Sequence, residues 1–210
     1  MATYVLVHGP WHGGWCWERV APLLRAAGHR VETPDLPGHG DDRTPAAEIT
    51  LRLYAEAIER VLATLAEPAV LVGHGHSGAV MSEVSERCPE RVAVLVYLAA
   101  RLLRDGTSIL DVGLTDRDSL LFENLVTYPT QSVMTVRPEA IPDVLYHDCP
   151  DATVAAIARI GSEPIAPVAT PIAITLERFG RVPRVYIETR RDRALGYSLQ
   201  RRMHRHLPCE

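Results

Sequence analysis

Residues 70–80 read Val70-Leu-Val-Gly-His-Gly-His-Ser-Gly-Ala-Val80, and the spacing of their glycines decides how the rest of the chain is read. A buried apolar strand that turns sharply into a helix through G-x-S-x-G is a nucleophile elbow, with the Ser raised at the corner. Pro68 to Val72 supply the strand and Gly78 to Arg87 the helix. The ungapped register sets Gly73 at the first glycine, Gly75 at the nucleophile slot and Ser77 at the last glycine. Gly carries no atom that attacks a carbonyl. It does adopt the strained backbone of such a corner at no steric cost, so the turn survives the exchange while the reagent is lost.

Outward from the elbow, apolar runs alternate with helical patterns. Tyr4 to Val7 form a buried strand ended by His8-Gly9, Trp15 to Ala27 a helix stopped at Gly28, and Arg30 to Pro34 a second strand before the turn-rich Asp35-Leu-Pro-Gly-His-Gly40. Leu51, Ala55, Ile58, Val61, Leu62 and Leu65 share one face, which predicts a helix over Thr50 to Ala66. Val92 to Leu98 is apolar throughout. Strands buried on both faces and separated by helices predict a parallel sheet. From Arg101 to about Pro171 the pattern breaks into short helical patches with many prolines, as a cap inserted over the carboxyl edge of the sheet would. Val182 to Glu188 restores a strand and Gly196 to His206 a basic helix. The expected division is a core of 1–100 and 172–210 with a cap of 101–171.

With 210 residues, 47% of them hydrophobic, the chain fits one domain with a sizeable core. A net charge of −4 gives no electrostatic case for nucleic acid, and no apolar run approaches the roughly 18 residues of a membrane span. The N-terminus runs into a strand without a basic region or cleavage site, and Cys16, Cys88, Cys149 and Cys209 lack C-x-x-C spacing. Reduced thiols in a cytoplasmic protein are the expectation. All 22 basic residues are Arg, which excludes Schiff-base catalysis by Lys. His, Cys, Asp and Glu show no metal-ligand spacing and no Gly-rich phosphate loop occurs, so neither metal nor cofactor is expected.

Leu6-Val-His-Gly-Pro-Trp-His-Gly-Gly-Trp-Cys-Trp17, Asp35 to Gly40, Leu71-Val-Gly-His74, Pro89-Glu-Arg-Val92, Val96-Tyr-Leu-Ala-Ala100 and Arg184 to Asp192 stand in one order. In that order they resemble the plant methylesterase and hydroxynitrile lyase group of α/β-hydrolases and its bacterial relatives. The resemblance implies a mostly parallel, doubly wound α/β-hydrolase sheet with a helical cap. It also implies a Ser nucleophile, a relay His and an orienting Asp. Asp192 matches the acid, and Gly75 occupies the Ser position. The relay His of the group follows one more strand, beyond Glu210, so the last strand and helix of the fold are not expected within these residues. His204 and His206 lie too early and read as solvated. The implied oxyanion donors are the N–H groups of His76 and of residue 10, which is Pro10 and has none.

Two readings of His76 stand: a pocket acid or base beside the vacated slot, or a histidine satisfied by loop carbonyls. Ser77 is the remaining candidate nucleophile, since Gly75-His76-Ser77-Gly78-Ala79 itself reads G-x-S-x-A, although its side chain would point away from the slot. Pro10, Trp11 and His12 on the first loop, with Tyr128 in the cap, are the candidate substrate contacts; Phe122, Met134, Tyr146 and His147 are further pocket candidates.

The leading expectation is a non-hydrolytic enzyme, a cyclase, lyase or isomerase using acid–base chemistry. Its substrate would be an apolar small molecule such as a polyketide or aromatic intermediate. The alternatives are an inactive binding or partner protein, and an esterase using Ser77 with a relay His beyond Glu210. A homo-oligomer or partner chain is expected to cover the C-terminal sheet edge, because unpaired strand edges invite association.

Overall fold

The computed structural model describes residues 1–150 and 155–209. Five strands, β1 (Thr3–Val7), β2 (Arg30–Glu32), β3 (Ala69–Gly75), β4 (Val92–Ala100) and β8 (Arg184–Ile187), form a sheet of order β2-β1-β3-β4-β8 in which every pairing is parallel. Period-two alternation sends neighbouring residues to opposite faces. Val5, Val7, Leu71 and Leu95 pack in one cluster with Tyr54, Ile58 and Leu62 of helix α2 (Leu51–Ala63) and Met81 and Val84 of α3 (Ser77–Arg87). Leu6 and Val72 turn the other way, onto Trp17, Ala21 and Val31. Truncating one of these fully buried leucines to Ala costs about 2–5 kcal/mol in comparable cores.

The first predicted helix is divided. A 3-10 turn at Gly14–Trp17 precedes α1 (Ala21–Ala26), whose first turn holds Pro22. Proline has no N–H to donate to the preceding turn and fits only a helix start. Thr50 caps α2 by accepting from Leu53 N–H at 3.1 Å.

The insertion between β4 and β8 is more than helical. Beside the short helices α4 (Ile109–Gly113), α5 (Ile141–Leu145) and α6 (Ile165–Ala169) it holds an antiparallel sheet of β5 (Leu125–Tyr128), β6 (Val133–Val136) and β7 (Glu163–Pro164). Strands of four and two residues are too short to print a period, so no alternation in the sequence marks them. Leu121, Val136, Ile141, Val144 and Tyr146 of the insertion close on Trp11 of the first core loop in a cluster of their own. The chain then returns through β8 to α7 (Tyr197–His206). Among the described residues no helix is long and apolar enough to cross a membrane.

Candidate active site

The corner between β3 and α3 has the geometry of an elbow built for glycine. Gly75 sits at φ +60°, and a Cβ placed on it would lie 2.9 Å from the Pro10 Cδ. Real Cβ contacts are longer, so the ring of Pro10 occupies the space that a side chain at 75 would need. Pro10 offers no N–H. The next N–H of that loop, on Trp11 at φ +63°, is committed to Glu163 Oε2 at 3.3 Å. The loop that the resemblance assigns to the oxyanion therefore leaves no free donor there.

Ser77, the sequence candidate for a displaced nucleophile, is fully buried, donates its hydroxyl to His8 O and takes no part in the cavity wall. Its hydroxyl is spent tying α3 to the end of β1, which removes the geometric basis for attack from this residue.

The polar chemistry lies around Glu163, at the start of β7. Its side chain is fully buried. Oε2 accepts from His39 Nε2 at 2.9 Å as well as from Trp11, and Oε1 accepts from the Tyr54 hydroxyl at 3.2 Å. Oε1 also lies 3.5 Å from His76 Nε2. Burial pushes the Glu163 carboxyl up, but His76, His39 and the Trp11 N–H outweigh it and bring its pKa down to about 2. Burial likewise opposes charge on His39, yet the attraction and hydrogen bond of Glu163 raise its pKa. With Nδ1 donating to Pro37 O at 3.1 Å, both His39 nitrogens act as donors, as an imidazolium requires.

His76 is the opposite case. Its ring is 3% exposed, and burial lowers its pKa to about 4 despite the attraction of Glu163. Neither ring nitrogen has a hydrogen-bond partner among the described residues, and no loop carbonyl satisfies it. The cluster thus holds a carboxylate, an imidazolium and one neutral imidazole with unspent capacity to give or take a proton. His8 completes it, with Nδ1 donating to Gly9 O at 2.8 Å and Nε2 accepting from Leu36 N–H at 3.0 Å; burial keeps it neutral. Among the described residues no group of three or more His, Cys, Asp or Glu is arranged to hold a metal ion.

Gly75, His76 and Glu163 lie on the wall of a cavity of about 450 Å³ together with Pro10, Trp11 and His12. His12 is locked in place: Nδ1 donates to Pro10 O at 2.7 Å, and Nε2 accepts from the Tyr146 hydroxyl at 2.8 Å. Burial lowers its pKa to about 4. Trp11 Nε1 donates to Met134 O at 3.2 Å, which pins the loop to the insertion. Phe122, Met134, Tyr146 and His147 reach the cavity; Tyr128 does not, being 42% exposed outside it. Asp192 lines the cavity, but its oxygens are taken up by the N–H groups of Ala194 and Leu195 and by the Thr189 hydroxyl, an arrangement that shapes the loop after β8. His204, expected to be solvated, is half-buried and bonds Glu188 Oε1 at 2.6 Å, whereas His206 is exposed as expected.

No local pattern singles out Glu163, Tyr54 or Arg101 as site residues, and His39 is marked in the sequence only as part of a turn. Glu163 follows Gly161-Ser162 in the insertion, where no motif marks it. Arg101 directly follows β4, where the pattern of the cap begins, and in the fold it is 5% exposed.

A profile described as the alpha/beta hydrolase family matches residues 4–209. The chain belongs to the alpha/beta hydrolase family. Among plant relatives of this alpha/beta hydrolase, salicylic acid-binding protein 2 of Nicotiana tabacum is 31% identical over 213 residues, covering 94% of this chain and 82% of that protein. The pyrethroid hydrolase from Sphingobium faniae superposes with a TM-score of 0.86 at 27% identity, covering 97% of this chain and 84% of that one. A variant of tomato methylketone synthase I complexed with beta-ketoheptanoate gives a TM-score of 0.83 at 26% identity, covering 100% and 86%. The chain spans 61%, 56% and 48% of the length of three chloroplastic relatives from Arabidopsis thaliana that are named for methylesterase activity.

Proposed function

We propose that this alpha/beta hydrolase fold carries out proton transfer on an apolar small molecule without hydrolysing it, with His76 as the acid–base group and Glu163 as the residue that positions it. One observation carries the reading: the slot where an attacking hydroxyl belongs holds Gly75 pressed against Pro10, while the adjoining residue is a neutral imidazole with no hydrogen bond among the described residues. A ring whose pKa is about 4 is in its base form near neutrality, and the fixed Glu163 carboxylate favours the proton it would gain. The cavity, with Leu121, Phe122, Met134 and Val144 on its wall, suits an apolar ligand. Cyclisation, elimination and isomerisation are the reaction types such a site serves. Relatives named as hydrolases share the fold, and so does one named as a synthase; fold alone therefore leaves the reaction open.

The test has two arms. A fluorophosphonate should leave the protein unlabelled, and short p-nitrophenyl esters should turn over no faster than in buffer. A panel of apolar ketones and β-dicarbonyls in D₂O should include compounds whose acidic C–H exchanges faster with the protein than without it, and His76→Ala should remove that exchange. An adduct on Ser77 or efficient ester turnover overturns the non-hydrolytic reading. Exchange at the buffer rate throughout favours a binding protein.

A further inference from the structure

We propose that Arg101 anchors a carboxylate of the ligand, so that the cavity takes an apolar acid in preference to a neutral molecule. This rests on the reading of the cavity as a small-molecule site and names the charged group of its ligand. The main chain of Arg101 is clamped to the elbow: its N–H donates to Gly75 O at 2.8 Å, and a Cβ on Gly78 would meet its carbonyl oxygen at 2.5 Å. The residue is 5% exposed and belongs to the cavity wall. Among the described residues its guanidinium has no hydrogen bond and no ion pair, and Nη1 is buried without a partner. An arginine keeps its proton in proteins, so this is a buried charge with no ion-pair partner among the described residues, a costly arrangement for a fold to hold.

The nearest carboxylates do not answer it. Asp116 and Asp192 attract Arg101 from beyond ion-pair distance. Asp116 spends Oδ2 on Gly196 N–H at 2.8 Å and Oδ1 on Asp118 N–H at 3.3 Å. Asp192 is held by Ala194, Leu195 and Thr189 as described above. The guanidinium fork is therefore left for an oxygen pair arriving from the cavity, and a carboxylate matches it in two parallel hydrogen bonds. A single guanidinium matches the charge of a carboxylate monoanion, and the field of Asp116 and Asp192 beyond it weighs further against a phosphate dianion. Ile109, Leu121, Phe122 and Met134 on the same wall supply the apolar remainder of the site.

The probes are 1-naphthylacetate and 1-naphthylacetamide, which share a shape and differ in charge, measured by titration calorimetry on the full chain. The acid should bind tenfold or more tighter than the amide. Arg101→Leu should abolish that preference and Arg101→Lys should keep part of it. His76→Ala, which removes the proposed acid–base group, should shift both probes alike, so failure of the proton-transfer reading leaves this result standing. In the ligand-free protein Arg101→Leu should raise Tm, because it deletes an unpaired buried charge. Equal affinity for the two probes, no binding of the acid, an acid preference that persists in Arg101→Leu, or a Tm lowered by that change each overturns the proposal.

Discussion

The corner at Gly75 and the two-residue strand at Glu163 border the same cavity and contribute opposite things to it. The corner keeps its backbone and has no reactive side chain: Gly75 at φ +60° holds the turn, Pro10 fills the slot, and Ser77 is consumed in structure. The strand has almost no backbone structure of its own, yet its one carboxylate organises His39, Tyr54 and the Trp11 N–H and faces His76. The scaffold of a site and its chemistry are therefore held by separate constraints. Backbone conformation and close packing preserve the first, while any side chain that reaches the cavity from another element is able to supply the second.

Removing Glu163 should break this contrast most severely. Glu163→Ala leaves the buried His39 and the Tyr54 hydroxyl without their acceptor, and uncompensated buried charge typically costs about 3–5 kcal/mol. Urea denaturation should report a loss of that order, and a loss below about 1 kcal/mol would mean that the cluster does not hold the insertion to the core. His76→Ala should sharpen the contrast on the chemical side. Proton exchange or turnover of a true substrate should fall roughly 10²-fold or more, with far less effect on binding. Because burial holds the ring at about 4, the wild-type rate should be level near neutrality and decline as pH falls toward that value, when the ring takes up the proton it must be free to accept.

Gly75→Ser tests the corner. A non-glycine residue at that φ, pressed on Pro10 Cδ, should cost about 1–3 kcal/mol and should not create ester hydrolysis. Combining it with Pro10→Ala should recover part of the stability, and a double-mutant cycle in denaturant should give a clear coupling between the two sites. Zero coupling would mean that Pro10 is not what closes the slot. The smallest effect belongs to Tyr54→Phe. It deletes one hydrogen bond to a carboxylate that keeps two other partners, so thermal melting should show a loss of about 1 kcal/mol.

The sheet, the elbow and the lack of a nucleophile at its corner are legible in the sequence alone. Each of these is written in neighbouring residues: continuous apolar runs in β1, β3 and β4, the glycine spacing of 73–75, and a proline where an N–H was required. The sequence also brought His76 forward on its position alone, while leaving its partner open. Only the tertiary structure decided what His76 faces, that Ser77 points into the scaffold, that Asp192 is occupied by its own loop, and that Arg101 is buried. Tyr128, a reasonable contact by residue type, lies outside the cavity because the short strand that carries it turns its end to solvent. The physical reason is distance along the chain. Glu163 meets His39 across 124 residues and Trp11 across 152, and local patterns of hydrophobicity and turn chemistry carry no record of which side chains folding will bring together at that separation.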